Sequence, residues 1–346
     1  MTEMTERPLV TFAVIAYNQE SFIREAIEGA FAQTYQPLEI VLSDDGSSDR
    51  TYQIMQEMVA AYDGPHRVRL HRNEPNLGLV PHIDRVMELV RGEFIVVSAG
   101  DDVSLPERTS AMVAVWKPAK GEVSMVHSPA EKIDENGRSL GLRISPQPVL
   151  DSPSAYTLAA GCHYVLGATV GWDRRVFDKF GPLGAGLDAE DHVIPFRAAL
   201  LGRIEYIDKP LIKYRTGGMS LGQYRGEHLY NYLYGSRHTL RKWHSQADIY
   251  IVERFNDVDY PRKKEAEAIC RERGEIMRFS VDLVESSKGV RWLMVPRAVR
   301  LALRYRNVRP LKDWARYTFE VIYLPYANWR MSRRDKLQSH APDTKA

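Results

Sequence analysis

The chain has 346 residues, 44% hydrophobic and 27% charged, with 23 Gly, 19 Pro and 2 Cys. That is globular usage, so collagen-like, low-complexity and largely disordered readings are excluded, and the length suits about two domains. The net charge of +2 conceals a split: residues 1–225 carry 23 Lys+Arg against 30 Asp+Glu, whereas residues 226–346 carry 24 against 15. An acidic first part therefore precedes a basic second part.

The stretch 1–8 is polar and acidic, unlike a signal peptide, and no run reaches the ~18 apolar residues of a membrane span. Cys162 and Cys270 lie far apart, as in a reduced cytosolic chain, and no Cys/His cluster has zinc spacing. Residues 9–16 form a short β-rich apolar run that predicts a buried strand. Residues 21–33 place Phe22, Ile23, Ala26, Ile27, Ala30 and Phe31 at helical spacing. A second strand is predicted over 38–43, a helix over 51–62, a short strand over 68–71, a turn at 76–78, a helix over 83–90 and a strand over 94–98. This order predicts a mostly parallel sheet flanked by helices, with the loops after the strands along one edge, where ligands of such sheets bind.

From residue 123 the pattern is mixed. A strand is predicted over 123–127, a hairpin around Asn136-Gly137, a connector and short helix over 170–180, a helix over 188–201, and strands over 203–207 and 211–214. Beyond about residue 224 the chain reads as helical and basic. The expected division is thus 1–225 and 226–346, with the first part falling into halves of about 1–120 and about 121–225.

Two acidic turns carry the chemistry. Asp44-Asp45-Gly46-Ser47-Ser48-Asp49 follows the second strand; its carboxylates suit a base N–H or a sugar hydroxyl, although Ser48 or Asp49 could simply cap the next helix. Gly100-Asp101-Asp102-Val103 follows the fourth strand. Adjacent carboxylates there repel unless a cation or a proton relieves them, and Mg²⁺ or Mn²⁺ with diphosphate oxygens suits such a pair. Capping of a helix near Pro106 is the bland alternative. Cys162-His163 reads as a buried core pair rather than a thiol nucleophile, and His127 and His192 as structural or substrate-lining residues.

Residues 9–220 resemble the inverting glycosyltransferases of the GT-A fold, family 2. The resemblance rests on VTFAVIAYNQESFIREAIEGAFAQTYQPLEIVLSDDGSSDRT, then NLG at 76–78, GEFIVVSAGDDVSLPER at 92–108, VHSPAEKIDENG at 127–137 and EDHVIPFRAALLGRIEYIDKPLIKYR at 190–215. It implies an α/β GT-A fold, Rossmann-like with a mostly parallel sheet, followed by a helical C-terminal extension. It also implies transfer of a sugar from a nucleotide-sugar (UDP favoured, dTDP or GDP as alternatives) to a glycan acceptor, including polyprenyl-diphosphate-linked ones, in bacterial surface-polysaccharide assembly. Carried over, Ala16, Tyr17, Asn18, Asp44, Asp45, Asn76, Gly78, Gly100 and Asp101 would meet the nucleotide. Asp101 and Asp102 would hold Mn²⁺ or Mg²⁺, Asp191 would be the catalytic base, and Trp172, Glu190 and Arg215 would contact substrate. Ala99 stands where the family often has a first carboxylate, and Thr216-Gly217-Gly218 where it often has a His. A degenerate transferase serving as a nucleotide-binding or assembly subunit is the non-catalytic alternative. Nucleotidylyl transfer and dinucleotide chemistry fit less well, because no Gly-rich phosphate loop follows Ala16.

Within residues 288–316, nine Lys/Arg face one acid, Asp313, with Trp and Leu interleaved. The segment 288–329 reads either as a basic amphipathic surface for an anionic membrane, on the inner face of the plasma membrane, or as a packed helical subdomain. No nucleic-acid motif accompanies the charge.

Overall fold

The computed structural model describes residues 7–145, 152–162, 164–216, 235, 237–320 and 323. The chain divides into two compact units, Met1–Met219 with Tyr250–Ile269, and Ser220–Ile249 with Cys270–Ala346. His163, Gly217, Gly218 and most of 320–329 lie outside the described residues.

In the first unit β1 (Val10–Ala16), α1 (Ile23–Phe31), β2 (Leu38–Asp44), α2 (Thr51–Ala60), β3 (Arg67–Arg72), α3 (Leu79–Leu89) and β4 (Phe94–Ala99) alternate as the periodicity predicts. β5 (Val103–Ser104), α4 (Arg108–Trp116), β6 (Val123–His127), β7 (Ala130–Ile133), β8 (Ser139–Ile144) and α5 (Ala155–Ala159) follow. Then come β9 (Val170–Asp173), α6 (Arg175–Phe180), α7 (Glu190–Leu201), β10 (Arg203–Tyr206) and β11 (Ile212–Arg215). The main sheet has the order β10-β6-β9-β4-β1-β2-β3, and a second sheet the order β5-β11-β7-β8. Pairings are parallel except for β9, which runs antiparallel between β4 and β6, and for the β5–β11 and β7–β8 pairs. This is the mostly parallel, helix-flanked α/β architecture of the GT-A fold.

β1 and β2 read as unbroken apolar runs because helices cover both their faces. Phe12, Val14, Ile40, Leu42 and Phe94 pack with Ile23 and Ile27 of α1 and Met112 and Trp116 of α4. The predicted hairpin forms as β7–β8. The segment 170–173, expected as a connector, is instead a central strand: Trp172 pairs with Ile95 on one side and Met125 on the other. Residues 250–269 return to this unit, where the Phe255 ring meets those of Phe196 at 5.2 Å and Phe180 at 5.3 Å.

Farther along the chain are α8 (Arg237–Arg254), α9 (Lys263–Glu285), α10 (Lys288–Leu293), α11 (Val295–Tyr305) and α12 (Arg309–Thr318). In the second unit Phe279, Leu283, Ala298, Leu301 and Tyr317 form a buried cluster. Beside it lies Asp313, 1% exposed. Its carboxylate accepts hydrogen bonds from Ser280 Oγ at 2.7 Å and Arg316 Nη1 at 3.0 Å and pairs with Arg241 Nη2 at 3.3 Å. The lone acid of the basic stretch is therefore its internal anchor. Asp313→Ala leaves a buried guanidinium unpaired and is expected to cost about 3–5 kcal/mol, read as a lower urea midpoint for the second unit.

Candidate active site

Register builds the site. Ala16 lies opposite Asp44, Ile15 opposite Ala99, and Asp44 opposite Arg72. The four neighbouring strands therefore end level, and the segments 17–18, 45–49, 73–78 and 100–102 emerge along one sheet edge. Their hydrogen bonds knit them together. Asn18, at φ 50°, accepts from Ser48 N at 2.9 Å through its side chain, while its own N–H donates to Ser47 Oγ at 2.9 Å.

The two aspartates of the first acidic turn face inward. Asp44 is fully buried, accepts from Ser47 N and Ser47 Oγ, and pairs with Arg72 Nε at 3.3 Å. Asp45 is 2% exposed, and its carboxylate accepts from Asn73 Nδ2 at 2.8 Å, Leu77 N at 3.0 Å and Gly78 N at 2.9 Å. Asn76 Nδ2 donates to the Asp45 carbonyl. Asp45 thus shapes the loop carrying Asn76 and Gly78. Gly46 is required between them: its φ is +71°, and a Cβ there would sit 2.8 Å from Asn76 N. Neither Ser48 nor Asp49 is the N-cap of α2, which is Arg50; Asp49, one residue earlier, accepts from Thr51 N at 2.9 Å.

At the end of β4, Asp101 is 9% and Asp102 1% exposed. α4 begins well beyond them, at Arg108, with no side-chain cap, so the pair does not serve as a helix cap. Burial first, and then the neighbouring Asp101 charge, push the Asp102 carboxyl up to about 8, against the lowering effect of the Arg215 N–H. Arg215, 1% exposed, closes this corner. Its N–H donates to Asp102 Oδ1 at 2.9 Å and its Nε to the Asp101 carbonyl at 2.9 Å. Nη1 donates to the carbonyls of Asp134 and Glu135, Nη2 to Glu25 Oε2 at 2.9 Å, and the guanidinium lies 4.7 Å from the Phe22 ring centroid. Each guanidinium nitrogen is thus engaged with protein.

Among the described residues no group of three or more His, Cys, Asp or Glu could hold a metal ion. Asp101 and Asp102 are a two-carboxylate set whose burial and mutual repulsion a divalent cation would relieve. Such a pair suits a metal that completes its shell with diphosphate oxygens and water.

Glu190 and Asp191 open α7, which contains Pro195 in its interior. Tyr164, in the loop between α5 and β9, donates its hydroxyl to Asp191 Oδ2 at 2.8 Å. The residue is 41% exposed; desolvation, the Asp191 charge and that hydrogen bond raise its pKa. Gly167 makes a close approach, since a Cβ on it would lie 3.2 Å from Asp191 Cβ. Burial, followed by the Asp191 charge, pushes Glu190 up to about 8. Fully buried Arg108 joins this region to β4, donating to the carbonyls of Val97 at 2.8 Å and Ala168 at 2.9 Å and to Ser104 Oγ at 2.8 Å.

Trp172, expected among the substrate contacts, is 1% exposed and stacks on Phe177 with centroids 6.0 Å apart, so in this conformation it is a core side chain. His127 is also buried, and Cys162 is exposed and free. Asp84 accepts from Leu183 N at 2.7 Å and Gly184 N at 2.9 Å, pinning the loop before α7. Sequence reasoning missed Tyr164, Asn73, Gly167 and Arg108 as residues that hold the site. Only Gly167, in a run of small residues, carries a local signal, namely that of a close backbone approach.

Residues 11–181 match the family described as "Glycosyl transferase family 2". A Rickettsia felis protein named "Uncharacterized glycosyltransferase" is 28% identical over 216 residues, covering 60% of this chain and 34% of that protein. The chain spans about a third of the length of several curated relatives it matches. The fold resembles that of S. aureus TarS 1-349, with a TM-score of 0.58, 16% identity and 90% of both chains covered. It also resembles mannosyltransferase PcManGT from Pyrobaculum calidifontis, with a TM-score of 0.52 and 19% identity over 94% of this chain and 87% of that one.

The Glu190 environment has a pH consequence. Its folded value near 8 exceeds the ordinary 4.5, so between these pH values the folded state holds a proton that the unfolded state has lost. Stability contributed by this group therefore falls as pH rises through that window. Thermal melts at the two ends of the window should show a smaller loss of Tm in Glu190→Gln than in the wild type.

Proposed function

Because residues 11–181 match glycosyl transferase family 2, we propose that the protein moves a sugar, with inversion, from a nucleotide-sugar donor to a hydroxyl of a glycan acceptor in surface-polysaccharide assembly. The observation that carries the reading is the level ending of β1, β2 and β4, which gathers both acidic turns on one edge. Solved structures of similar fold contain UDP-GlcNAc in TarS, and GDP-Man with Mn²⁺ in PcManGT. They support a nucleotide-sugar here, with UDP favoured and dTDP or GDP as alternatives.

In this reading the edge formed by Ala16, Tyr17, Asn18, Asn76, Gly78 and Gly100 receives the nucleotide. Asp44 and Asp45 act from beneath by holding the loops in place. Asp101, with Asp102 beside it, would hold Mn²⁺ or Mg²⁺, which supplies charge neutralisation for the diphosphate leaving group. Arg215 fixes that turn and is a positioning residue. Asp191 takes the proton of the acceptor hydroxyl as its oxygen bonds to the anomeric carbon and the bond from that carbon to the diphosphate breaks. Tyr164 holds one Asp191 oxygen and leaves the other to face the acceptor. Burial and the adjacent Asp191 raise the Glu190 pKa, which favours its neutral form beside the proposed base. A polyprenyl-diphosphate-linked glycan fits the acceptor role.

A non-catalytic nucleotide-binding subunit is the second reading, favoured by Ala99 in place of a further carboxylate. Calorimetry with UDP, GDP and dTDP, with and without Mn²⁺, should show metal-dependent binding of one nucleotide. With the matching nucleotide-sugar, Asp191→Asn should lower turnover about 10²–10⁴-fold while leaving nucleotide affinity unchanged. Retained turnover in that variant overturns the base assignment. Nucleotide binding by a wild type that turns over no donor favours the second reading.

A further inference from the structure

We propose that α10 and α11, with the turn into α12, form a docking surface for an anionic phospholipid bilayer. More than half of the exposed large apolar side chains among the described residues fall between 290 and 319. Leu293 is 80% exposed, Leu303 75%, Val308 57%, Trp292 51% and Val299 40%. Met294, at φ −87° and ψ −3°, is a single-residue turn between α10 and α11. On α11, Ala298 and Leu301 face the core of the second unit, whereas Pro296, Val299 and Leu303 occupy the opposite side. The outward side of a helix in water is ordinarily polar; here its centre is apolar.

The charges beside this row identify the occupant. Arg300, Arg306 and Lys312 are exposed and form no ion pair among the described residues. The one acid of the stretch, Asp313, is buried and spent on Arg241, Ser280 and Arg316. The surface is therefore apolar in the middle, with Arg300, Arg306 and Lys312 at its border, while the neighbouring acids Asp282 and Glu275 are taken up by Arg297 and Arg304. Lipid acyl chains would cover Leu293 and Leu303 while anionic headgroups meet the arginines. A second copy would set these arginines against each other, and a nucleic acid would leave the leucines in water. No helix among the described residues is long and apolar enough to cross a membrane, so the contact lies along the surface.

The proposal does not depend on the catalytic reading. The test is flotation of the full chain with vesicles of equal parts phosphatidylcholine and phosphatidylglycerol, against phosphatidylcholine alone. The wild type should float with the anionic vesicles at low salt and remain largely in the soluble fraction with the neutral ones. Leu293→Asp with Leu303→Asp, and separately Arg300→Glu with Arg306→Glu, should each reduce the floated fraction about tenfold. Leu140→Asp, at an exposed position of the first unit, should leave flotation unchanged. Circular dichroism identifies any variant that fails to fold, and the charge-reversal pair tests the proposal if the leucine pair does. Equal recovery in the soluble fraction with both vesicle types overturns the proposal. So does a dimer in light scattering that Leu303→Asp dissolves, or retention of a DNA duplex in place of vesicles.

Discussion

A single guanidinium holds the site corner together. Arg215 ends β11 in the second sheet, yet it binds the turn after β4, the carbonyls of Asp134 and Glu135, and Glu25 on α1. Three of these partners are backbone carbonyls in fixed places, so the planar fork of donors acts as a template that admits one arrangement. Lysine could not reproduce it. Two adjacent carboxylates at the end of a buried strand are costly to hold, and the cost is accepted because this residue and Arg108 supply positive charge beside them.

The same logic runs along the sheet edge. Four strands end in register, and the polar groups released there satisfy one another before any ligand arrives. Asp45 orders the 73–78 loop through three hydrogen bonds, and Asp44 orders the 45–49 turn. Preorganised backbone of this kind spares a ligand the entropy of ordering loops on arrival. Buried acids in such a turn therefore set the shape of the loops around them.

Much of the fold was legible in the sequence because its signals are local. Unbroken apolar runs mark β1, β2 and β4, and helical spacing marks α1 and α2. β9 was not legible, because four residues carry little periodicity and its strand character comes from the distant partners on either side. The site was legible by position but not by orientation. The acidic doublets stand where the pattern indicates, yet Asp44 and Asp45 point inward, a choice made by Arg72 and Asn73 from the next strand and loop. Likewise, nothing in the sequence marks Arg241 and Arg291 of the basic part as buried, a placement that Asp313 and the carbonyls of Leu283 and Tyr317 make possible.

The proline inside α7 has a consequence at the start of that helix. Pro195 has no N–H, so the main-chain oxygen of Asp191 loses the partner that the helical ladder would give it. Helix beginnings ordinarily attract anions. This one carries the Asp191 carboxyl and a main-chain oxygen relieved of its usual duty, so it offers acceptors where an oxyanion cradle would offer donors. An acceptor bound there as proposed would meet that oxygen as a partner for one of its O–H groups.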